Sequence, residues 1–210
     1  MDIKEIFSSL RNLKKPYVGR QREPFQVLIG AILSTRTKDE ITEKALKRLI
    51  EHAPDIYKLN KLSIKEIEKL IYPVGFYHTK AKNLKLLSKM ILEKYNGRMP
   101  NDLNSLLALP NVGRKVATLV LSRAFNKDEI CVDTHVHRIS NRLGLVKTKN
   151  VLETEKQLKQ IIPKKYWKDI NPYFVTLGKN FCYPQKPLCE DCPLKNLCLY
   201  CNSRAASKAK

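Results

Sequence analysis

Long apolar stretches are missing from this 210-residue chain, and no run approaches the roughly 18 consecutive apolar residues that a membrane-spanning helix needs. The first residues place Asp2 and Glu5 among apolar positions, unlike a secretory signal, whose apolar core is continuous. We therefore expect a protein without a membrane span that resides in the reducing cytoplasm.

Acidic residues are scarce relative to basic ones. Lys and Arg total 40 against 20 Asp and Glu, which gives a formal charge of +20 and an isoelectric point near 9.8. A lysine-rich surface of the kind found in thermophiles is normally balanced by glutamate, so it does not explain a twofold excess. The imbalance favours a polyanionic partner, either nucleic acid or an anionic membrane surface.

Sustained alternation of apolar and polar residues is also absent, which argues against a sheet, whereas helical periodicity recurs along the chain. The predicted helices are Met1–Leu13, Pro24–Leu33, Ile41–Ile50, Ile64–Ile71 with Ser63 and Glu66 as a capping box, Ala81–Leu92, Asn101–Ala108, Lys115–Phe125, Thr134–Leu143, Glu153–Ile161 and Trp167–Leu177. The pattern breaks near residue 20 and near residues 126–127. We expect an all-α protein with one helical domain over residues 20–127 and a discontinuous domain of residues 1–19 plus 128–210.

Four of the six cysteines are concentrated near the C-terminus, at Cys182, Cys189, Cys192 and Cys198. Four thiolates in so short a segment suit a tetrahedral zinc or an iron–sulfur cluster. Structural zinc usually uses two separated close pairs of ligands, and only one close pair exists here, which favours the cluster. Disulfide bonds between these cysteines would require export from the reducing cytoplasm, and the sequence shows no export signal. Of the remaining two, Cys131 is expected to be a small buried hydrophobe and Cys201 a spare thiol that is not a ligand.

A short turn is predicted where the helix ending at Ala108 gives way to the helix starting at Lys115. Pro110 ends the first helix, and Asn111 and Gly113 are residue types that tolerate positive φ. The loop amides would then point outward beside the positive end of the second helix, where phosphate oxygens bind. The candidate phosphate-binding residues are Asn111, Val112, Gly113 and Arg114. An ordinary turn between two helices is the alternative.

With the motifs LPNVGRKVA at 109–117, VDTHVHR at 132–138 and the four-cysteine run at 182–198, the chain resembles the endonuclease III family of DNA glycosylases and AP lyases, in the helix-hairpin-helix superfamily. Two weaker matches are LSTRTKDE at 33–40 and GFYHTKA at 75–81. The resemblance implies two helical domains with a helix-hairpin-helix motif and a C-terminal loop whose four cysteines hold a [4Fe–4S] cluster. It implies double-stranded DNA with damaged bases or abasic sites as the partner of a monomeric, nucleoid-associated protein.

The resemblance assigns the catalytic nucleophile to Lys115 and its carboxylate partner to Asp133. The amine would attack C1′ of an extruded nucleotide, displace an oxidised pyrimidine and form an imine, after which β-elimination would nick the strand. The non-catalytic alternatives are that Lys115 is a surface cation and that Asp133 is a helix N-cap. Asp133 could both cap a helix and take part in catalysis.

The two weaker matches imply that Arg36 and Phe76 fill the space left by the extruded base. The alternatives are a solvated arginine and a core aromatic. Many relatives carry Gln where this chain has Arg36, which leaves the opposite-base preference open, and Asn111 replaces a commoner Gly. Lys186, in the loop between Cys182 and Cys189, would contact the phosphate backbone.

Two other functions compete with this interpretation. A monofunctional mismatch glycosylase that removes uracil, thymine or adenine would share the fold, but such relatives lack the lysine. A non-catalytic DNA-binding protein would use the hairpin and cluster for docking alone. His135 and His137 do not suggest a metal site, because residues two apart on a helix face different directions.

Overall fold

The computed structural model describes residues 2–11, 13 and 23–208, with side chains described as far as residue 203. Over that part of the chain the regular structure consists of α-helices and short 3₁₀ turns, without a β-strand. The prediction of an all-α fold is confirmed. Within the same residues, no helix is both long and apolar enough to cross a membrane.

The chain divides into two compact units, which we call the inserted unit (Arg20–Lys127) and the terminal unit (Met1–Gly19 with Asp128–Lys210). The terminal unit begins with helix α1 (Ile3–Leu10). The helices described for the inserted unit are α2 (Pro24–Ser34), α3 (Asp39–His52), α4 (Ile56–Lys61), α5 (Ile64–Ile71), α6 (Tyr77–Tyr95), α7 (Leu103–Leu107) and α8 (Arg114–Ala124).

Helix α2 is the centre of the inserted unit, packing against α3, α6 and α8. It begins at Pro24, where the missing N–H costs no helical hydrogen bond. Leu28, Ile29 and Ile32 are fully buried, which accounts for the nearly continuous apolar run in the sequence. Each such side chain contributes about 1.5–3 kcal/mol on leaving water, so this helix anchors the unit.

Local capping signals define several helix ends in the inserted unit. Ser63 and Glu66 form the predicted capping box at the start of α5. Helix α6 ends where expected, at Asn96 and Gly97, which have φ values of 52° and 75°. Both residue types adopt this left-handed conformation more readily than others, which lets the chain leave the helix.

Two helices were absent from the sequence prediction. Helix α4 has only six residues, too few for a periodic pattern, but Asp55 marks its start by accepting the Lys58 N–H at 2.7 Å. The second, helix α12 (Leu199–Lys208), directly follows the last cysteine of the four-cysteine run. An aspartate followed by an apolar residue was the available signal for α4.

The remaining helices of the terminal unit are α9 (Thr134–Leu143), α10 (Val151–Ile161) and α11 (Trp167–Asn180), with 3₁₀ turns at Lys164–Tyr166 and Lys195–Leu197. Helix α9 packs against α10, α11 and α12 and is the centre of this unit. Its core combines apolar side chains such as Phe7 and Phe174 with the thiols of Cys198 and Cys201. Cys131 is buried, as predicted.

Candidate functional site

A six-residue segment joins α7 to α8 and forms the predicted turn. Asn111 has a φ of 61°, the left-handed conformation expected for it. Gly113 does not: its φ is −86°, and it serves as the N-cap of α8. Of the two residues expected to tolerate a positive φ, only Asn111 adopts one, because Gly113 is an N-cap residue with an extended backbone that any residue can adopt.

The absence of a side chain at Gly113 leaves space at the start of α8. A Cβ atom added there would meet no other protein atom within 4 Å. Gly113 also provides no side-chain hydrogen bond to cap the helix. The start of α8 is thus open to a ligand on this side, and its amide dipoles favour an anion.

Val112 holds the turn to the body of the inserted unit. Its side chain is buried, and its backbone N–H donates to the carbonyl oxygen of Leu109 at 3.2 Å. The expectation that the loop amides all point outward is therefore wrong for Val112, since this amide closes the turn. Asn111 and Gly113 remain exposed on either side of it.

Lys115 is the second residue of α8, and its side chain is exposed. The first turn of α8 contains no acidic residue, so no carboxylate within that turn competes for an approaching phosphate. The hydroxyl of Thr118 donates to the carbonyl oxygens of Arg114 and Lys115 at 2.9 and 3.2 Å. The exposed amine therefore stands on a first turn whose backbone is held in place.

Asp133 is the N-cap of α9 in the terminal unit. Its Oδ1 accepts the backbone N–H of Val136 at 2.9 Å, and only 8% of the residue is exposed. The N-cap interpretation of Asp133 is confirmed. A carboxylate fixed by a helix amide keeps one orientation, which a group that stabilises developing positive charge requires.

Arg36 and Phe76 lie in two loops of the inserted unit that contact each other. The Arg36 guanidinium carbon lies 5.3 Å from the Phe76 ring centroid. Phe76 is 61% exposed, so it is not the core aromatic that was the alternative. Both residues have positive φ, 52° and 59°, which sequence reasoning missed because neither residue type favours that conformation.

The four cysteines of the C-terminal run line one cavity of the terminal unit. Beside Cys182, Cys189, Cys192 and Cys198, its lining is mainly apolar and includes Leu143, Leu177 and Leu194. Cys201 also faces this cavity and is buried, hydrogen-bonded to Cys189 and Cys198. Helix α12 returns Cys201 to the cavity wall, and its assignment as a thiol that is not a ligand stays a prediction.

The four thiols line one cavity, an arrangement that fits the ligands of a cluster. A tetrahedral zinc would draw four sulfurs to about 2.3 Å from one point. The cysteines surround a shared cavity, as ligands of a multi-iron cluster do.

Without iron, gathering these thiolates is electrostatically unfavourable. Burial, with smaller contributions from the nearby thiols of Cys182, Cys198 and Cys189, raises the pKa of Cys192 to about 11. Burial likewise raises the pKa of Cys201, with hydrogen bonds to neighbouring thiols adding to the effect. Bound iron would offset this cost by stabilising the deprotonated ligands.

Two arginines of α9 contact the cysteine loop, which the sequence analysis did not predict. Arg142 Nη1 donates to Cys182 Sγ at 3.2 Å, and Arg142 Nη2 donates to the Pro184 carbonyl at 2.7 Å. Arg138 donates to the Cys182 carbonyl at 2.8 Å. The four-residue spacing of the arginines, which places both on one face of α9, was the available signal.

The two histidines of α9 have separate neighbours, as expected. His135 Nδ1 lies 3.2 Å from Arg138 Nη2, whereas His137 Nδ1 lies 2.7 Å from the Thr154 hydroxyl. In the cysteine loop, Lys186 is exposed and has a φ of 47°. The loop therefore directs a cation toward solvent.

Two protein-family profiles match the chain. Residues 29–164 match the HhH-GPD superfamily of base excision DNA repair proteins, and residues 182–198 match the iron–sulfur binding domain of endonuclease III. The first match covers most of the inserted unit and extends through α9 and α10. The second covers the four-cysteine run from its first to its last cysteine.

Individual relatives agree with these profiles. Endonuclease III of Thermotoga maritima is 46% identical over 195 residues, covering 93% of this chain and 92% of the relative. A trapped endonuclease III–DNA covalent intermediate superposes with a TM-score of 0.85 at 36% identity, over 98% of this chain and 99% of that one. A thermostable thymine-DNA glycosylase gives 0.84 at 26% identity, over 95% and 94%.

Proposed function

The chain belongs to the endonuclease III family, a group of base excision repair glycosylases that bind DNA, and from that premise we propose that Lys115 is its catalytic nucleophile and Asp133 the carboxylate partner. The observation that carries this proposal is the position of the exposed residue Lys115 in the first turn of α8, whose N-cap Gly113 leaves open space. A covalent endonuclease III–DNA intermediate was trapped in the structural relative, which is consistent with a nucleophilic residue.

The proposed reaction begins when neutral Lys115 Nζ attacks C1′ of an extruded nucleotide. The bond from C1′ to the base breaks, and the departing base takes the electron pair and, after protonation, leaves. Opening of the sugar ring and loss of a proton from nitrogen produce an imine between Nζ and C1′. Removal of a C2′ proton then expels the 3′ phosphate, which nicks the strand, and water hydrolyses the imine.

Asp133 contributes a buried carboxylate whose orientation is fixed by the Val136 amide. In the proposal it offsets the positive charge that develops on the sugar as the glycosidic bond breaks, or accepts a proton from the attacking amine. The same carboxylate caps α9, so a structural and a chemical role coincide in one residue.

Contacts to the DNA backbone are assigned to Asn111 and Gly113 in the turn, to Arg114 at the start of α8 and to Lys186 in the cysteine loop. These contacts carry no sequence information and position the duplex. Val112 holds the turn in place from the core. Arg36 and Phe76 are proposed to occupy the gap in the base stack, Arg36 by hydrogen bonding to the orphaned base and Phe76 by wedging between base pairs.

The protein has an iron–sulfur binding domain at residues 182–198, and a [4Fe–4S] cluster is its cofactor. We assign Cys182, Cys189, Cys192 and Cys198 as the ligands, and Cys201 as a neighbouring thiol. When bound, the cluster cross-links a segment that has little regular structure of its own. Visible absorption from sulfur-to-iron charge transfer would accompany it, and a colourless zinc protein would contradict the assignment.

We propose oxidised pyrimidines in double-stranded DNA as substrates, a monomeric state and a cytoplasmic location with the DNA. The likeness to a thymine-DNA glycosylase makes mismatch repair the second candidate. A panel of duplexes with thymine glycol, hydroxycytosine, oxidised guanine and mismatched uracil or thymine distinguishes the two. Preferential excision of mismatched thymine without strand cleavage would favour the second.

Borohydride trapping on an abasic duplex tests the nucleophile. The imine formed by the wild-type protein is reduced to a stable adduct, which denaturing electrophoresis detects as a shifted band. We expect Lys115→Gln to abolish the adduct and Lys44→Gln, a change at an exposed lysine of α3, to leave it intact. An adduct of undiminished yield in Lys115→Gln would refute the assignment, and DNA binding without any adduct in the wild type would indicate a non-catalytic protein.

A further inference from the structure

Lys80, in the first turn of α6, is buried although it carries an amine. Only 4% of the residue is exposed. Removing an ammonium group from water is costly unless acceptors surround it. Its Nζ donates to the carbonyl oxygens of Leu33 and Thr35 at 2.9 and 2.6 Å and to the Thr37 hydroxyl at 3.4 Å. Three donors therefore meet three acceptors.

The acceptors lie where α2 ends and the loop of Arg36 begins. The last carbonyl groups of a helix lack partners in the helix, and they carry its partial negative charge. Lys80 supplies both a cation and the missing donors at that position. The same amine therefore ends α2 and fixes the path of residues 33–37.

The second loop is joined to the first through Thr37 and Gly75. The Gly75 N–H donates to the Thr37 hydroxyl at 3.1 Å. A Cβ atom on Gly75 would lie 2.5 Å from the Arg36 carbonyl oxygen, so the two backbones approach as closely as only glycine permits. Lys80, Thr37 and Gly75 thus form a continuous hydrogen-bonded link between the loops.

The link supports two residues in an unfavourable conformation. Arg36 and Phe76 both have positive φ, which non-glycine residues adopt at an energetic cost and which persists where surrounding contacts enforce it. The exposed Phe76 ring and the Arg36 guanidinium are brought together on the outer side of these loops. The hydrogen bonds of Lys80, Thr37 and Gly75 thus fix the conformation of Arg36 and Phe76 in the absence of a ligand.

We propose that Lys80 is a positioning residue that holds the loops of Arg36 and Phe76 in the one arrangement that opens the DNA base stack. Lys80 does not touch DNA; it acts through the backbone of residues 33–37 and through the Thr37–Gly75 hydrogen bond. Preforming the loops removes the entropy cost of ordering them during base extrusion. This proposal rests on the proposed function.

Lys80→Met tests it, because methionine preserves much of the side-chain length and removes the donors. Lys85→Met is the matched control. Lys85 lies on the same helix, and its amine donates likewise to backbone carbonyls, those of Asn60 and Leu62, which lie at the end of α4 and not in the loops of Arg36 and Phe76. The duplex contains a stable abasic analogue with 2-aminopurine as the opposite base, whose fluorescence rises on unstacking.

At saturating protein, we expect Lys80→Met to lower the fluorescence gain by about fivefold or more, whereas Lys85→Met matches the wild type. On a lesion duplex, kcat should fall in Lys80→Met, with binding to undamaged DNA unchanged, because the phosphate contacts are elsewhere. Thr37→Val, which removes one link without burying a new group, should give a partial loss and serves if Lys80→Met does not fold.

Wild-type unstacking by both Lys80→Met and Thr37→Val would overturn the proposal, as would an equal loss in Lys85→Met. Borohydride trapping on a preformed abasic site shows whether only the role of Lys80 is wrong or the proposed function as well. If the function is correct, Lys80→Met still forms the adduct through Lys115. If the function is wrong, the wild-type protein itself neither forms the adduct nor unstacks the reporter base.

Discussion

The inserted and terminal units use different means to hold their candidate functional residues. In the inserted unit, apolar packing and side-chain hydrogen bonds fix the turn before α8 and the loops of Arg36 and Phe76. In the terminal unit, the segment from Cys182 to Cys198 contains only a 3₁₀ turn, and its cysteines surround a cavity. Side chains thus hold the candidate loops of the inserted unit, whereas the cysteine segment of the terminal unit, although contacted by Arg138 and Arg142, also has a cofactor to hold it.

This difference means that loss of iron should affect the two units unequally. Burial, and to a smaller extent the neighbouring thiols, raises the pKa of Cys192, so the thiolate form that a cluster needs is unfavourable in this cavity unless iron is bound. The buried aliphatic core of the inserted unit contains none of these cysteines. Metal dependence is therefore expected in one unit only.

Cysteine replacement gives the largest expected effect. Cys192→Ser should abolish the visible absorption and speed amide hydrogen exchange in residues 182–198 by at least about tenfold, while α2 and α8 keep their protection. Cys131→Ala, which changes a buried cysteine outside the cavity, should retain the absorption. Equal loss of protection in both units would show that the inserted unit also depends on the cluster.

Removal of the negative charge of Asp133 should give the next largest effect, a loss of catalytic rate. Asn can also cap a helix, so Asp133→Asn retains the Val136 hydrogen bond and removes only the charge. We expect kcat for base excision to fall by about 10²–10⁴-fold with little change in melting temperature. Asp102→Asn, at an aspartate that caps α7 in the inserted unit, should leave kcat unchanged.

If instead Asp133→Asn lowers the melting temperature and leaves kcat at the wild-type level, the carboxylate is only a cap. The comparison of two N-cap aspartates thus separates a structural role from a chemical one. Both accept an amide three residues ahead at 2.9 Å, so the local hydrogen bonding is matched.

The difference between the units also explains what the sequence could predict. The capping box at Ser63, the left-handed Asn96 and the apolar α2 are local signals, and the structure confirms them. The role of Gly113 could not be read from the sequence, because a glycine can provide either a positive φ or open space, and the residue type alone does not show which one the fold uses.

Long-range contacts were beyond sequence reasoning. Nothing near Lys80 in the sequence shows that its amine meets carbonyl oxygens more than 40 residues away, with separations of 47 and 45. Arg142 likewise meets Cys182 across 40 residues, although only Cys182 stands in a recognisable motif. Motif spacing identifies the candidate chemical groups, whereas the fold decides which side chains support them.

A charge reversal in the cysteine loop should have a moderate effect. Lys186→Glu is expected to weaken binding to any duplex and to reduce the slope of log K against log salt by about 1, because one phosphate contact is lost. Lys147→Glu, at another exposed lysine of the terminal unit, is the control for net charge. An identical slope in Lys186→Glu and the wild type would exclude a phosphate contact there.

The smallest effect expected is a pH-dependent stability difference in the inserted unit. Burial lowers the pKa of Lys80 from 10.5 to about 8. Between those values the unfolded chain binds more protons than the folded one, so this group's contribution to stability rises with pH and is lost as pH falls through 8. Relative to Lys80→Met, the wild type should gain about 1 kcal/mol from pH 8 to pH 9, or about 2–4 °C in Tm. The two proteins share every other titrating group, so the difference between their calorimetric Tm values reports on Lys80. If that difference stays constant or falls as the pH rises, the buried amine keeps its proton. The three oxygen acceptors would then outweigh the hydration that the amine loses on burial.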